Sequence, residues 1–72
     1  MNKALLKSKM ALYSDTGRTL AEALEIAEPT FSAKLNGYNG AEFTQKEIAA
    51  IRERYKLTDE EIVAIFFAEM VS

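Results

Sequence analysis

The side chains best suited to chemistry in this chain are carboxylates, and three of them recur at intervals of three residues: Glu22, Glu25 and Glu28. If a turn keeps this acidic triplet on one side of the fold, it forms a ridge that attracts a positively charged surface. An ordinary structural interpretation also exists, because Glu22 follows Thr19 at the spacing of a capping box and Glu28 suits the positive end of a helix dipole. The sequence leaves both interpretations open.

The composition removes most catalytic chemistry. The 72 residues include no histidine and no cysteine, so imidazole bases, thiol nucleophiles, disulfides and the usual nitrogen or sulfur metal ligands are missing. The consecutive residues Asp59, Glu60 and Glu61 point around a helix without converging, and are predicted to be a helix start. Without a nucleophile paired to a base or a cluster of ligands, we expect no enzyme, no metal site and no cofactor.

The charge balance gives little support to a nucleic-acid surface. Nine basic and eleven acidic residues give a net charge of −2, whereas DNA-binding surfaces normally cluster Lys and Arg on one face. Residues 1–40 hold five basic and four acidic residues, and residues 41–72 hold four and seven, so even the more favourable half is nearly neutral. Arg52, Arg54 and Lys56 are interrupted by Glu53, and this cluster is interpreted as a solvated helix face.

No segment is predicted to enter a membrane. The apolar residues near the N-terminus are interrupted by Lys3, Lys7 and Lys9, and no run approaches the roughly 20 apolar residues that span a bilayer. A signal peptide is not indicated either. We therefore expect a single cytoplasmic domain over residues 1–72.

The elements that must position these residues are predicted to be helices. An amphipathic first helix covers about residues 3–14, with Leu6, Met10 and Tyr13 on its buried stripe. Gly17 in the following turn supplies the backbone freedom that ends this helix.

Two further helices are predicted in the second half of the chain. Thr44 with Glu47 and Thr58 with Glu61 have the spacing of capping boxes and mark the two starts. The preceding NGYNG segment contains two Asn-Gly pairs, but no alternating strands flank it, so we predict a loop anchored by Phe43. The residues expected to face the core from these two helices are Ile48, Ile51, Tyr55, Ile62, Ile65 and Phe66.

The fifth helix is apolar around more of its circumference than one core contact requires. Its second apolar stripe consists of Val63, Phe67, Met70 and Val71. Because an unpartnered stripe of this kind favours a protein contact, it is a candidate second interface, for example between two copies of the chain.

Residues 18–37, RTLAEALEIAEPTFSAKLNG, have the pattern of two short helices joined by a tight turn. Thr19 is the predicted start of the first helix. Phe31 and Leu35 lie four residues apart on the second, which Gly37 closes. This arrangement predicts a helix-turn-helix motif over about residues 19–37, the motif that many proteins use to read DNA.

With five predicted helices, and LAEALEIAEPTFSAKLNG as the second and third, nearly the whole chain resembles the Cro and repressor family of phage-type helix-turn-helix proteins. More narrowly, its length and the run from Ala4 through Phe67 are similar to the small modulator-of-repression proteins, or antirepressors, of temperate phages of Gram-positive bacteria. The resemblance implies a compact, all-α, five-helix lambda-repressor-like domain whose third helix enters the major groove. It also implies a role in the switch between lytic and lysogenic growth.

The resemblance further implies which residues face the target. Arg18 and Thr19 at the start of the second helix would meet a phosphate backbone. The other implied positions are Glu28, Pro29 and Thr30 in the first turn of the third helix, Ser32 and Ala33 in its middle, and Lys34, Asn36, Tyr38 and Asn39 beside the flanking backbone.

Three departures from the family pattern lie together in this motif. Glu25 occupies the turn position that the family commonly fills with glycine, at a cost of roughly 1 kcal/mol if its backbone is left-handed. Ala27 replaces the polar cap of the third helix and forfeits about 1 kcal/mol. Glu28 and Pro29 stand where a DNA reader usually presents Arg, Gln, Asn or Lys, although a glutamate can accept a hydrogen bond from cytosine.

Two functions remain. The departures favour an antirepressor whose acidic triplet imitates DNA, binds a phage helix-turn-helix repressor and blocks its contacts with the operator. The alternative is a Cro-like regulator that binds operator double-stranded DNA directly, as a dimer formed through the second apolar stripe. Neither function requires a small-molecule substrate or a membrane.

Overall fold

A computed structural model describes residues 1–67 of the protein. Across that range the chain is all-helical, which confirms the predicted class, and no strand occurs in it. The elements in chain order are α1 (Lys3–Leu12), α2 (Gly17–Ala23), α3 (Glu28–Asn36), a single 3-10 turn (Tyr38–Gly40), α4 (Gln45–Tyr55) and α5 (Asp59–Phe66).

Two of the three predicted capping boxes are confirmed. At α4 the Glu47 amide donates to the Thr44 hydroxyl at 3.1 Å, and the Thr44 amide donates to the Glu47 carboxylate at 2.9 Å. The same reciprocal pair forms between Thr58 and Glu61 at the start of α5, with distances of 2.9 and 3.1 Å. Local spacing is sufficient here because both partners lie within one helical turn.

The predicted start of α2 at Thr19 is wrong, because the helix begins at Gly17 and its N-cap is Thr16. The Thr19 amide donates to the Thr16 hydroxyl at 3.2 Å, and the Thr16 amide donates to the Thr19 hydroxyl at 2.8 Å. Thr19 is not the N-cap because it lies at the third position inside the helix, where its hydroxyl accepts from the Thr16 amide and donates to Asp15 at 2.9 Å. Glu22 is therefore not part of a capping box.

The end of α1 also differs from the prediction. The helix stops at Leu12, and Ser14, with a φ of 59°, lies at its end, whereas Gly17, which we predicted to end the helix, is the first residue of α2. The prediction that Tyr13 belongs to the core is wrong, because Tyr13 follows the last helical residue and is 44% exposed. Its ring packs on Tyr55 at a centroid distance of 5.1 Å, and its hydroxyl donates to the Tyr55 carbonyl at 3.1 Å.

One hydrophobic core joins all five helices. Leu6, Leu20, Ile51 and Ile65 are fully buried. Phe43 anchors the loop before α4, as predicted, with its ring centroid 5.7 Å from that of Phe31. The other buried core residues are Met10, Ala21, Tyr55, Leu57 and Phe66, while Leu24, Ile26, Leu35, Ile48 and Ile62 are partly buried against them.

The chain start is fastened to α5, because the Asn2 amide donates to the Ile65 carbonyl at 2.6 Å. The exposed face of α5 carries Val63 and Phe67, which are 57% and 50% exposed. Met70 and Val71, the other predicted members of the second apolar stripe, lie outside the described residues. Within residues 1–67, no helix has the length and apolar character needed to cross a bilayer.

Candidate interaction surface on the α2 and α3 helices

The two-helix arrangement predicted for about residues 19–37 is formed by α2, a turn at residues 24–27 and α3, which pack against each other. Leu20 and Phe31 are buried between the helices and the core. The turn is closed by the Ile26 amide, which donates to the Ala21 carbonyl at 3.0 Å. At the other end Gly37, with a φ of 71°, terminates α3 as predicted.

Two of the unusual positions in the turn have the predicted backbone consequences. Glu25 is left-handed, with a φ of 61°, a conformation that disfavours any residue with a Cβ atom. Ala27 is the N-cap of α3 and contributes no side-chain hydrogen bond. Pro29 in the first helical turn is compatible with this start, because an amide there would lack a helical partner. Both residues reduce the stability of the fold, and both lie on the surface that the resemblance implies for contact with the target.

The acidic triplet is exposed. Within residues 1–67, Glu22 pairs only with Arg18, at 3.8 Å, and the two side chains are 69% and 76% exposed, so this pair contributes little. Glu25 and Glu28 form no ion pair with any described residue. Glu28 stands in the first turn of α3, where the helix dipole favours it. The dipole interpretation of Glu28 is thus consistent with the structure, and Glu25 has no structural role of this kind.

The positive charge of α3 is held inside the fold. Lys34, the only basic residue of this helix, contacts both carboxylate oxygens of Glu47 at 2.7 and 2.8 Å. The two side chains are 17% and 12% exposed. Burial alone would raise the pKa of Glu47, but the hydrogen bonds from Lys34 and from the Thr44 amide bring that pKa below its ordinary value. Lys34 therefore ties α3 to α4 through a partly buried ion pair.

The remaining predicted contact residues divide into free and engaged side chains. Thr19 is engaged with Asp15 and with the N-cap. Asn36 is engaged as well, since it accepts from Lys3 at 2.7 Å and donates to the Ser32 carbonyl at 2.8 Å. Among the described residues, the exposed positions without a side-chain hydrogen bond are Pro29, Thr30, Tyr38 and Asn39, of which Tyr38 is 62% exposed. Ser32 is also exposed, but its hydroxyl accepts from Asn36 at 3.4 Å.

A polar cluster centred on Asp15 was missed by sequence reasoning. Its carboxylate accepts from Arg54 at 2.7 and 2.8 Å, from the Tyr55 hydroxyl at 2.7 Å and from the Thr19 hydroxyl at 2.9 Å. The Asp15 side chain is only 7% exposed. Arg54 lies on an exposed face, as predicted, with a side chain that is 38% exposed, but its guanidinium also forks onto this carboxylate.

The cluster has a clear electrostatic signature. Hydrogen bonds from Arg54, and then from Tyr55 and Thr19, hold the pKa of Asp15 far below its ordinary value. Burial, together with the hydrogen bond to Asp15, raises the pKa of Tyr55. Asp15 precedes α2, and Arg54 and Tyr55 are the last two residues of α4. The hydrogen bonds between them therefore fix the orientation of α2 on the rest of the fold.

A second surface lies between α4 and α5. A shallow groove of about 280 Å³ is lined by Ile48, Ile62 and Phe67, with Gln45, Ala49 and Arg52 at its polar side. It adjoins the described part of the second apolar stripe through Phe67. None of the groove residues belongs to α2 or α3, but Gln45, Ile48 and Phe67 also line a neighbouring cavity together with Lys34, Leu35 and Asn36 of α3.

Comparisons with profiles of protein families, with curated protein sequences and with solved structures return no match for this chain. Within residues 1–67, no group of three or more acidic side chains is placed to hold a metal ion. The geometry and charge of the α2 and α3 surface therefore carry the functional argument.

Proposed function

We propose that this protein is a phage-type transcription regulator of a lytic-versus-lysogenic switch, acting in the cytoplasm as an antirepressor. In this proposal α2, the turn and α3 form a helix-turn-helix that binds a repressor of the same general fold and blocks its operator. The observation that carries the proposal is the ion pair between Lys34 and Glu47, which removes the only cation of α3 from the exposed surface.

The charges left on this surface favour a basic partner. Arg18 is the one exposed cation that α2 and α3 themselves carry, and it lies beside Glu22, while Lys3 of α1 reaches Asn36 at the end of α3. Glu25 and Glu28 have no described cation to neutralise them. A repressor that reads DNA presents Lys and Arg to phosphates. Carboxylates complement such a surface, and they give the complex orientation and a fast association rate.

Two residues that reduce the stability of this surface support the same proposal. Glu25 is left-handed and Ala27 leaves α3 uncapped, although glycine and a polar cap would be more stable at these positions. Residues that cost stability on an exposed surface are expected where binding benefits from them. The resemblance to the modulator-of-repression proteins implies a helix-turn-helix repressor as the partner, and such a repressor has the basic surface that the proposal requires.

The proposal is tested with purified protein and its cognate repressor, the expected product of a neighbouring, divergently transcribed gene. Adding the protein to a repressor–operator complex should release the operator DNA, and size-exclusion chromatography should show a stable complex of the two proteins. A repressor that keeps its operator at saturating antirepressor, and forms no complex, would rule the proposal out.

A Cro-like regulator that binds operator DNA directly is the second candidate. The exposed Arg18 at the start of α2 and the exposed hydroxyls of Thr30 and Ser32 on α3 favour it. Val63 and Phe67 would then support a homodimer. Its test is a shift of operator DNA by the protein alone, with an affinity that falls steeply as salt is raised.

A further inference from the structure

The segment after α3 contains two Asn-Gly pairs that share the same covalent chemistry. In such a pair the backbone nitrogen of the glycine can attack the side-chain amide carbon of the asparagine, and the absence of a Cβ atom on the glycine leaves the approach open. Neither Gly37 nor Gly40 has a neighbouring atom within 4 Å of the place where a Cβ would stand. The covalent structure alone therefore does not distinguish Asn36 from Asn39.

The fold protects Asn36. Its side-chain amide donates to the Ser32 carbonyl at 2.8 Å, and its carbonyl oxygen accepts from Lys3 at 2.7 Å. The attacking nitrogen would be that of Gly37, which donates to the Ala33 carbonyl as the C-cap of α3. Reaction at Asn36 thus requires its side-chain amide to leave Ser32, the Gly37 amide to leave the Ala33 carbonyl and the last turn of the helix to open.

Asn39 has none of this protection. Its side chain is exposed and makes no hydrogen bond within the described residues. Its backbone is left-handed, with φ 55° and ψ 31°, inside a single turn of three residues. The attacking nitrogen here would be that of Gly40, which donates to the Gly37 carbonyl at a long 3.3 Å. A short turn with weak, exposed hydrogen bonds opens at low free energy.

We infer that Asn39 is a site of spontaneous deamidation and that Asn36 is not. The Gly40 nitrogen loses its proton and bonds to the Asn39 side-chain carbon, ammonia leaves, and a five-membered succinimide forms. Water then opens the ring at either carbonyl and gives aspartate or isoaspartate. The net reaction consumes one water, releases one ammonia and involves no oxidant or reductant.

The modification changes the surface beside Tyr38. It adds one negative charge to a chain whose net charge is −2, and it does so just beyond the C-terminus of α3, where the helix dipole disfavours an anion. The isoaspartate product also inserts a methylene into the backbone of the turn. This inference does not depend on the proposed function.

The test uses two full-length variants that each keep a single Asn-Gly pair. Asn36→Gln leaves only the pair at Asn39, and Asn39→Gln leaves only the pair at Asn36. Folded samples are incubated in mildly alkaline buffer, and intact mass, peptide fragmentation and enzymatic isoaspartate detection follow the product. The Asn36→Gln variant should react at least about tenfold faster than Asn39→Gln, a difference of about 1.4 kcal/mol in activation free energy.

The control repeats the incubation in concentrated guanidinium chloride, where both variants should react at similar rates because only the fold distinguishes them. Fragment ions from the wild-type protein locate the modified residue independently of the variants. The test therefore remains valid if Asn36→Gln loosens the end of α3. Equal rates in the folded variants, or preferential modification of Asn36 in the wild type, would overturn the inference.

Discussion

Glu25 and Ala27 show how single residues on the candidate surface oppose stability. Glu25 holds a left-handed backbone and Ala27 caps α3 without a side-chain hydrogen bond. Each departure was visible in the sequence as the wrong residue type at a turn or cap position. Their backbone conformations follow from local rules, because a short turn between two helices leaves few alternatives.

Replacing Glu25 by glycine should raise the free energy of unfolding by up to about 1 kcal/mol, because glycine adopts a φ of 61° without steric strain. Urea unfolding followed by circular dichroism measures the change. Glu22→Gly is the matched control, since it lies within α2 and should lose about 0.5–1 kcal/mol. A loss of stability in Glu25→Gly would contradict the strain assigned to this turn.

Giving α3 a polar cap should also stabilise the protein. Ala27→Ser places a hydroxyl where the free amides of the first turn can donate to it, for a gain of about 0.5–2 kcal/mol. Thr44→Ala performs the reverse change at α4 and should lose a similar amount. Urea unfolding measures both variants, and the prediction would be contradicted if their free energies of unfolding changed in the same direction.

At the scale of elements, the Asp15 cluster and the pair of Lys34 with Glu47 fasten α2 and α3 to α4. Capping boxes at α4 and α5 were predictable, because their partners lie three residues apart. The start of α2 was missed because Thr19 with Glu22 has the more typical capping-box residues, whereas the observed pair of Thr16 with Thr19 has no acidic partner. The contact of Asp15 with Arg54, 39 residues away in the chain, was missed as well. Contacts over such separations leave no periodic signal in one sequence.

Asp15→Asn should lower the free energy of unfolding at neutral pH by about 1.5–3 kcal/mol, the range for hydrogen bonds to a charged group. The expected loss stays within this range because Arg54 is 38% exposed and solvent screens the pair. Urea unfolding provides the measurement, and Asp59→Asn, at an 84% exposed side chain paired with Arg52, is the control with a small expected effect.

The same cluster predicts a pH dependence. The pKa of Asp15 is lower in the folded than in the unfolded state, so its stabilising effect is complete above the unfolded pKa of about 3.9. It is lost as the pH falls below that value towards the folded pKa. The stability difference between wild type and Asp15→Asn should therefore shrink between about pH 5 and pH 2. A difference that stays constant over this range would contradict the assignment.

For the whole molecule, we propose that the charge on α2 and α3 selects a basic partner. The all-helical class, the two-helix arrangement and the exposed acidic triplet were predicted from the sequence. The engagement of Lys34 by Glu47 was not, because it joins two helices through side chains. That pair removes a cation which the sequence had assigned to the contact surface, and so it strengthens the case for a basic partner.

The most direct test is the affinity of the double variant Glu25→Lys/Glu28→Lys for the cognate repressor, measured by isothermal titration calorimetry. The matched control is Glu53→Lys/Glu60→Lys, a reversal of two exposed charges on α4 and α5 outside the candidate surface. The account predicts that the double variant binds at least about tenfold more weakly, a loss of about 1.4 kcal/mol, while the control binds as the wild type does. Unchanged affinity in the double variant, or an equal loss in the control, would contradict it.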